Sequence, residues 1–315
     1  MRILVTGGAG FIGSHLCERL LREGHQVSIV DELNDFYSPA LKLKNLAYIR
    51  STGNVAFYQS DICEEGAMAE VFEEARPDLV IHLAARAGVR PSLEQPLLYE
   101  RVNVRGTLVL LEACRQLGAK QFIFASSSSV YGGTNRVPFS EGDPVNRPIS
   151  PYAATKIAGE NICYTYRQLY GIRMVCLRFF TVYGPRQRPD LAIRKFTDLI
   201  AHGKPITVFG DGSSSRDYTF IDDIVDGVVS AVSHDCDYEI FNLGNFSPVT
   251  LLEMIRVIED KLGAKANIQW LPEQPGDVPI TYADISKANR LLGYAPRVAF
   301  ADGVQRVIEW HASLK

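Results

Sequence analysis

A serine run and a Tyr-x-x-x-Lys pair are the residues of this chain whose types and spacing could do chemistry. The run is Ser126–Ser129, and Tyr152 and Lys156 follow about one loop later. Residues four apart on a helix lie on the same face, where an ammonium can lower the pKa of a phenol. A tyrosine beside a cation and a hydroxyl donor becomes a usable base near neutral pH. The pair therefore predicts proton transfer at Tyr152, although the spacing by itself occurs on many helices.

A strand, a glycine turn and a helix open the chain in the arrangement that binds dinucleotides. The strand is predicted over Arg2–Thr6 and the amphipathic helix over Ser14–Glu23. Between them, Gly7 allows the tight turn, Gly10 lets the backbone approach a pyrophosphate, and Gly13 lets the helix pack closely on the strand. The helix N-terminus offers amide donors and a partial positive charge to phosphates. We therefore expect a dinucleotide at this turn.

An acidic residue follows the next predicted strand. That strand is Gln26–Val30, and it ends at Asp31, about 20 residues beyond the glycines, where an acid can bind the ribose hydroxyls. A carboxylate there would repel a 2′-phosphate. Asp31 therefore predicts NAD rather than NADP as the cofactor.

Strand and helix patterns alternate through the first half of the chain, which predicts an α/β fold with a Rossmann-like, doubly wound parallel sheet. Ligands of such sheets bind at the carboxyl ends of the strands, where the serine run lies. His82, inside an apolar strand, is predicted to be a core histidine rather than a catalyst. The further predicted strands are Val55–Gln59, Asp78–Ala85, Gln121–Ser126 and Arg173–Phe180, and the helices are Ala40–Ile49, Glu64–Glu74, Leu97–Leu117 and Tyr152–Tyr170.

The second half of the chain predicts a smaller C-terminal α/β domain that binds substrate. Residues 1–180 would form the NAD-binding domain, with 222–243 returning to its sheet, and residues 181–315 would mainly bind substrate. The predicted elements are a strand with glycine turns over Ile206–Asp223 and helices over Leu191–His202, Ile224–Val232, Leu251–Leu262 and Asp302–Ala312.

The composition is that of a globular protein, with 46% hydrophobic and 22% charged residues. A formal net charge of −3 gives no electrostatic case for nucleic acid or an anionic membrane. No apolar run approaches the roughly 18 residues of a membrane span, and the first residues have no signal-peptide layout. The six cysteines are scattered singly, without a Cys-x-x-Cys motif. We therefore expect a cytoplasmic protein with reduced thiols and no metal site.

Motifs over essentially the whole chain resemble those of the extended short-chain dehydrogenase/reductases that modify nucleotide sugars. The resemblance implies that Ser127, Tyr152 and Lys156 form a catalytic triad, and that Asn103 braces the active-site helix. The motifs are Thr6–Gly13, Asp61–Ile62, Leu83–Ala85, Asn103–Thr107, the serine run and the Tyr-x-x-x-Lys pair. The residues implied to bind NAD are Gly7, Gly10, Phe11, Ile12, Gly13, Asp31, Asp61, Ile62, Leu83, Ala84, Ala85, Tyr152 and Lys156.

The serine run distinguishes between reactions within this family. Dehydratases usually carry Thr-Asp-Glu where this chain has Ser127–Ser129. Removing a hydroxyl as water requires an acid to protonate the leaving oxygen, and serine is too weak an acid for this. UDP-glucuronate decarboxylases tend to have glutamate at the position of Ser129. The serines therefore favour simple hydride chemistry.

The segment Arg178–Asp190 resembles the UDP-glucuronate 4-epimerases, as do Ala87–Glu94 and Glu273–Val278. UDP-glucose 4-epimerases typically have asparagine at Thr181 and arginine at Gln274. The resemblance implies NAD-dependent C4 epimerisation of a UDP-sugar, from UDP-glucuronate to UDP-galacturonate, through a 4-keto intermediate. The alternatives are a UDP-glucose 4-epimerase and, with less support, a UDP-glucuronate decarboxylase or a non-catalytic NAD-binding regulator.

A uronate substrate calls for a hydroxyl such as Thr181 or Ser128 and a cation such as Arg188 or Arg90 near its carboxylate. Alternatively, the arginines of this loop lie on a solvated surface or contact the diphosphate. The full substrate-binding set consists of Arg90, Ser128, Ser129, Thr181, Arg186, Arg188, Val208, Phe209, Arg216, Tyr218 and Asp277.

The expected partner is a UDP-hexuronate or UDP-hexose substrate, with no nucleic acid and no membrane. Family resemblance also implies a homodimer in which Leu97–Leu117 and Tyr152–Tyr170 pair across the interface. The alternative is that both helices bury their apolar faces within one subunit.

Overall fold

The structure is a computed structural model that describes residues 1–134, 136–273 and 278–314. It confirms the predicted α/β class. The strands are β1 (Arg2–Thr6), β2 (Gln26–Val30), β3 (Val55–Tyr58), β4 (Leu79–His82), β5 (Gln121–Ser127), β6 (Arg173–Phe179), β7 (Thr181–Tyr183), β8 (Pro205–Phe209), β9 (Ser215–Phe220), β10 (Tyr238–Leu243), β11 (Pro248–Thr250) and β12 (Asn267–Leu271).

Among the described residues, the large sheet has seven parallel strands in the order β10-β6-β5-β4-β1-β2-β3. Smaller sheets are formed by β11-β9-β7 and by β12-β8. The segment predicted to return to the large sheet contributes β10, whose Tyr238 lies opposite Met174 of β6. The division into two domains stays a prediction.

Helices cover both faces of the large sheet, and further helices pack against the smaller sheets and against each other. They are α1 (Phe11–Arg22), α2 (Pro39–Thr52), α3 (Glu65–Ala75), α4 (Val89–Glu94), α5 (Pro96–Glu100), α6 (Gly106–Leu117), α7 (Pro151–Tyr170), α8 (Ala192–Ala201), α9 (Ile221–Val232), α10 (Leu251–Leu262), α11 (Ser286–Leu292) and α12 (Phe300–Ala312). In the described part of the chain, none of these helices has the length and apolar character needed to cross a membrane.

Three predicted elements differ in the structure. The predicted helix over Leu97–Leu117 is helical throughout, but a π-helical turn over Arg101–Arg105 divides it into α5 and α6. The predicted strand Ile206–Asp223 is two strands, β8 and β9, which belong to different sheets. Strand β4 ends at His82, opposite the last residue of β1, so Leu83–Ala85 leave the sheet.

Apolar packing on both faces fixes the sheet. Ile3 and Val5 of β1 pack in one core cluster and Leu4 packs in another, as expected when successive side chains of a strand point to opposite faces. Every residue of β5 is buried, which is typical of a parallel strand covered on both sides. The carboxyl ends of these strands meet at one edge of the sheet, and they deliver the glycine turn, Asp31 and Ser127 to it.

Candidate active site

A cleft of about 700 Å³ lies at this edge of the sheet. All residues predicted to bind NAD line it, as do the three predicted catalytic residues. Of the predicted substrate residues, it is lined by Arg90, Ser128, Ser129, Thr181, Arg188, Phe209, Arg216 and Tyr218.

The glycine turn leaves a cradle that suits a pyrophosphate. Gly7 has a φ of 70°, and a Cβ there would lie 2.8 Å from the Ala84 nitrogen. A Cβ on Gly13 would clash with the Gly7 carbonyl oxygen. Gly10 caps helix α1 without a side-chain hydrogen bond, so the first-turn amides are available to a ligand. The residues present therefore fit a dinucleotide.

Gly13→Ala is expected to destabilise the protein by about 1–3 kcal/mol, because the added methyl group overpacks the turn. It should also weaken NAD binding, measured by isothermal titration calorimetry beside thermal unfolding. Gly66→Ala is the matched control. A Cβ on Gly66, in the first turn of α3, meets nothing within 4 Å, so we expect stabilisation of about 0.5–1 kcal/mol. Equal effects of the two substitutions would contradict the close-packing role of Gly13.

Asp31 is held at the end of β2 by backbone amides. Its carboxylate accepts hydrogen bonds from the nitrogens of Ala9 (3.2 Å) and Leu33 (3.0 Å). Burial raises the pKa of Asp31, while these bonds and the nearby Lys42 lower it. Asp31 is 8% exposed and lines the cleft, where its carboxylate can accept hydrogen bonds from hydroxyl groups.

Sequence reasoning missed several cleft residues that follow Asp31. Lys42 donates from Nζ to the backbone oxygen (2.8 Å) and side-chain oxygen (3.0 Å) of Asn34, and lies 4.9 Å from the ring centroid of Tyr37. All three residues line the cleft. The available signal was the polar, tyrosine-containing stretch that follows β2 and leads into the helix predicted over Ala40–Ile49.

Asp61 and Ile62 lie where β3 leads into α3. The Asp61 carboxylate pairs with Arg101 at 2.6 Å and accepts a hydrogen bond from the Cys63 nitrogen at 2.9 Å. The Ile62 side chain packs so closely on Gly106 that a Cβ there would lie 2.6 Å from its Cδ1. Because these contacts hold the loop, Asp61 and Ile62 form a fixed wall of the cleft.

The predicted catalytic residues converge from two elements. Ser127 ends β5, and its Oγ lies 3.2 Å from both the hydroxyl and the backbone nitrogen of Ser129. Tyr152 is in the first turn of α7, which Ser150 caps through a 3.1 Å bond to the Ala153 nitrogen. Lys156 lies one turn further, with Nζ 5.9 Å from the Tyr152 ring centroid.

The expected effect of Lys156 on Tyr152 is wrong in this geometry. The pKa of Tyr152 is raised, chiefly by burial, and hydrogen bonding with Ser127 and the charge of Arg188 oppose the rise. The Lys156 ammonium donates instead to the Ala125 carbonyl at 2.7 Å. Burial lowers the pKa of Lys156 to about 8, which leaves it mostly cationic at pH 7.

Asn103 braces the active-site helix, as expected. Its Nδ2 donates to the Thr155 hydroxyl and to the Arg86 carbonyl, each at 3.0 Å, and its Oδ1 accepts from the Arg86 nitrogen at 2.8 Å. Thr155 in turn donates to the Tyr152 carbonyl at 2.8 Å. The π-helical turn therefore ties the loop after β4 to the start of α7.

His82 is a core residue, which confirms the prediction. It is 2% exposed, and its ring nitrogens lie 2.7 Å from the Thr6 hydroxyl and 3.1 Å from the Thr107 hydroxyl. Burial lowers its pKa to about 3. His82 is therefore neutral and contributes hydrogen bonds rather than charge.

Arg188 and Arg90 line the cleft together with the other residues predicted to bind substrate. Arg188 makes two hydrogen bonds to the Asp190 carboxylate, at 2.9 and 3.1 Å, and lies 5.0 Å from the Phe36 ring centroid. It is close enough to lower the pKa of Tyr152. Arg90 lies 4.7 Å from the ring centroid of Phe209. The Arg188 guanidinium therefore lies near the Tyr152 phenol.

Two residues predicted to bind substrate do not line the cleft. Arg186 lies outside the cleft, because its guanidinium pairs with Glu18 of α1 and stacks 4.9 Å from the Tyr48 ring centroid. Val208 is fully buried in the core, since side chains alternate along β8 and only those of its neighbours face the cleft. The predicted role of Asp277 falls outside the described residues.

The fold and cleft define an extended short-chain dehydrogenase/reductase. Residues 4–307 match the model of a protein family described as GDP-mannose 4,6 dehydratase. The chain belongs to this family. Although the family bears the name of a dehydratase, Ser128 and Ser129 supply no carboxylic acid here.

Named relatives include epimerases. The UDP-glucuronate 4-epimerase of Thermodesulfobacterium geofontis is 45% identical over 98% of this chain and 95% of its own length. The structure of the UDP-glucuronic acid 4-epimerase of Bacillus cereus, in complex with UDP-glucuronic acid and NAD, is 38% identical with a TM-score of 0.94, and the match covers 100% of both chains. The UDP-glucose 4-epimerase of Thermotoga maritima, with UDP-glucose, gives 34% identity and a TM-score of 0.93 with the same coverage.

Proposed function

We propose that this protein is an NAD-dependent UDP-sugar 4-epimerase that interconverts UDP-glucuronate and UDP-galacturonate. The observation that carries the proposal is one cleft that joins Ser127, Tyr152 and Lys156 to Thr181 and Arg188. The first three suit reversible oxidation at a sugar carbon. The other two are a hydroxyl and a cation, the groups that bind a carboxylate. The similarity to UDP-glucuronate 4-epimerases over the whole chain supports this substrate.

The cofactor would lie along the glycine turn, with its adenosine ribose at Asp31 and its nicotinamide ribose at Lys156. NAD, when bound, accepts and returns a hydride, which no protein side chain can do. Asp31 favours NAD because a 2′-phosphate would meet a nearly buried carboxylate.

The side chains move and hold the proton of the reacting hydroxyl. Tyr152 takes the proton from the C4 hydroxyl of the sugar as that carbon is oxidised. It returns the proton to the same oxygen after the 4-keto sugar has turned and the other face of C4 is reduced. Ser127 donates a hydrogen bond to the C4 oxygen. The hydrogen bond with Ser127 and the charge of Arg188 favour the phenolate and oppose the burial that raises its pKa.

A uronate substrate creates a second requirement. Its 4-keto form is a β-keto acid, which loses carbon dioxide when the C5–carboxyl bond aligns with the carbonyl π-system. The side chains of Thr181, Ser128 and Arg188 would hold the carboxylate so that this bond stays near the plane of the ketone. Such a hold would make the enzyme an epimerase rather than a decarboxylase.

A two-substrate assay tests the proposed function. The purified protein is incubated separately with UDP-glucuronate and UDP-glucose, and inversion at C4 is followed by NMR. We expect efficient conversion of UDP-glucuronate and slow or absent conversion of UDP-glucose. Preferential conversion of UDP-glucose would replace the proposal by the neutral-sugar epimerase, and conversion of neither sugar would refute both.

We further propose a cytoplasmic homodimer in which α6 and α7 pack against their copies. Exposed apolar side chains on these helices support this surface, including Leu108 (36%), Leu117 (40%), Tyr164 (49%) and Leu169 (65%). Sedimentation equilibrium should give twice the chain mass, and replacing Leu169 with Glu should shift it towards the monomer. A wild-type monomer at micromolar concentration would exclude this assembly.

A further inference from the structure

A buried ion pair lies beneath the cleft. Glu160 is 4% exposed and Arg178 is 2% exposed. The Arg178 guanidinium donates two hydrogen bonds to the Glu160 carboxylate, Nε to Oε1 at 2.9 Å and Nη2 to Oε2 at 2.8 Å. The Ser126 hydroxyl donates to the same Oε1 at 2.5 Å. The Glu160 carboxylate therefore binds both Arg178 and Ser126.

Two of these residues lie on the elements that carry the proposed catalytic residues, and the third lies on the strand between β5 and β10. Ser126 precedes Ser127 on β5, and Glu160 lies one turn after Lys156 on α7. Arg178 is on β6, just before Thr181. Residues four apart on a helix lie on one face, so Glu160 lies beside the ammonium that faces the cleft, and its charge raises the pKa of Lys156 against the effect of burial.

The pair is poorly explained by stability alone. Taking two charges out of water costs several kcal/mol per ion, and well-packed apolar residues often replace such pairs without loss of stability. A planar guanidinium that forms two parallel bonds does, however, fix distance and angle closely. The third guanidinium nitrogen, Nη1, donates to the Tyr131 hydroxyl at 3.0 Å, and that hydroxyl donates to Asn242 of β10 at 2.7 Å. The network therefore reaches from α7 across three neighbouring strands.

We infer that Glu160, Arg178 and Ser126 are positioning residues that hold Ser127 in register with Tyr152 and Lys156. The inference rests on the proposed function for its consequence in turnover. The serine run stays in place because Ser126 donates a hydrogen bond to the Glu160 carboxylate of α7. Arg178 of β6 holds the same carboxylate. A displacement of about 1 Å at a reacting group can cost about 10²-fold in rate.

Two variants separate positioning from folding. Ser126→Ala removes the link from β5 and leaves the ion pair, and Glu160→Leu with Arg178→Met replaces the pair by apolar side chains. We expect kcat for UDP-glucuronate to fall about 10-fold in the first and about 10²-fold in the second, with KM within about twofold and the unfolding temperature kept or raised. The matched control is Arg2→Met with Asp78→Leu, an ion pair at the opposite end of the sheet, which should leave kcat unchanged.

Amide hydrogen exchange supplies a readout that needs no turnover. In both variants, exchange in residues 127–131 should be at least about 10-fold faster than in the wild type, corresponding to about 1.4 kcal/mol of lost local stability. Unchanged exchange and unchanged kcat in a folded double variant would overturn the inference. If the double variant does not fold, the same results for Ser126→Ala overturn it. An inactive wild type would refute the proposed function, and hydrogen exchange would then decide the inference alone.

Discussion

Tyr152→Phe should lower kcat for C4 epimerisation by about 10³-fold, because it removes the group that accepts the C4 proton. The ring would keep its edge contact with Tyr99, whose ring centroid lies 6.2 Å away. The affinities for NAD and UDP-glucuronate should therefore change little. The measurement is single-turnover and steady-state kinetics in both directions, with calorimetric titration of both ligands. A loss confined to kcat identifies an interaction made only in the transition state.

Tyr164→Phe is the control for this substitution. Tyr164 lies on the same helix, α7, but is 49% exposed and away from the cleft. Removing its hydroxyl should leave turnover within about twofold of the wild type, because the ring that would pack in the proposed dimer is kept and the hydroxyl is away from the cleft. If Tyr152→Phe retained a tenth or more of wild-type kcat, another residue would have to act as the base.

The parallel sheet could be predicted from sequence because its strands are buried on both faces. Such strands are short apolar runs bounded by glycines and acids, so β1 and β2 have the bounds that were predicted for them. The glycine turn and Asp31 follow from the same logic, since a tight turn and a ribose acceptor each demand a particular residue type. These features depend on the residue types within a short segment, and those residue types can be read directly from the sequence.

Features that depend on distant partners could not be predicted. Nothing within Leu97–Leu117 reveals the π-helical turn, where Asn103 bonds to Arg86 and Thr155. Arg186 leaves the cleft because it pairs with Glu18, 168 positions earlier in the chain.

The pKa of Tyr152 illustrates the same limit. A spacing of four residues places Lys156 on the same helix face, but it gives neither their separation nor the burial that dominates the shift. The direction in which Lys156 points is set by the Ala125 carbonyl, on a neighbouring strand.

Arg188→Met should reduce kcat/KM for UDP-glucuronate by about 10- to 100-fold more than that for UDP-glucose, because the lost charge near Tyr152 affects both sugars equally. Hydrogen bonds to a charged group contribute about 1.5–3 kcal/mol, which corresponds to this range. Methionine keeps the length and apolar contact of the arginine side chain, including that with Phe36, but removes the charge. The ratio of kcat/KM between the two sugars therefore isolates the carboxylate contact.

Arg186→Met is the matched control, because it removes an arginine two positions away that lies outside the cleft. It should leave the ratio between the two sugars unchanged, whatever its effect on stability. An equal loss for both sugars in Arg188→Met would contradict the carboxylate contact and assign this arginine to the diphosphate or to the Tyr152 phenolate. No change for either sugar would remove it from the site.

Thr181→Val tests the hold on the carboxylate at the keto stage. Valine has nearly the shape of threonine but cannot donate a hydrogen bond, so the carboxyl group of the 4-keto sugar should rotate more freely. We expect labelled carbon dioxide from substrate labelled at C6, and a UDP-4-keto-pentose product, both absent with the wild type. Because Arg188 would still attract the carboxylate, KM should change less than in Arg188→Met. Clean epimerisation without carbon dioxide in both variants would show that neither side chain suppresses decarboxylation, leaving Ser128 as the group to replace.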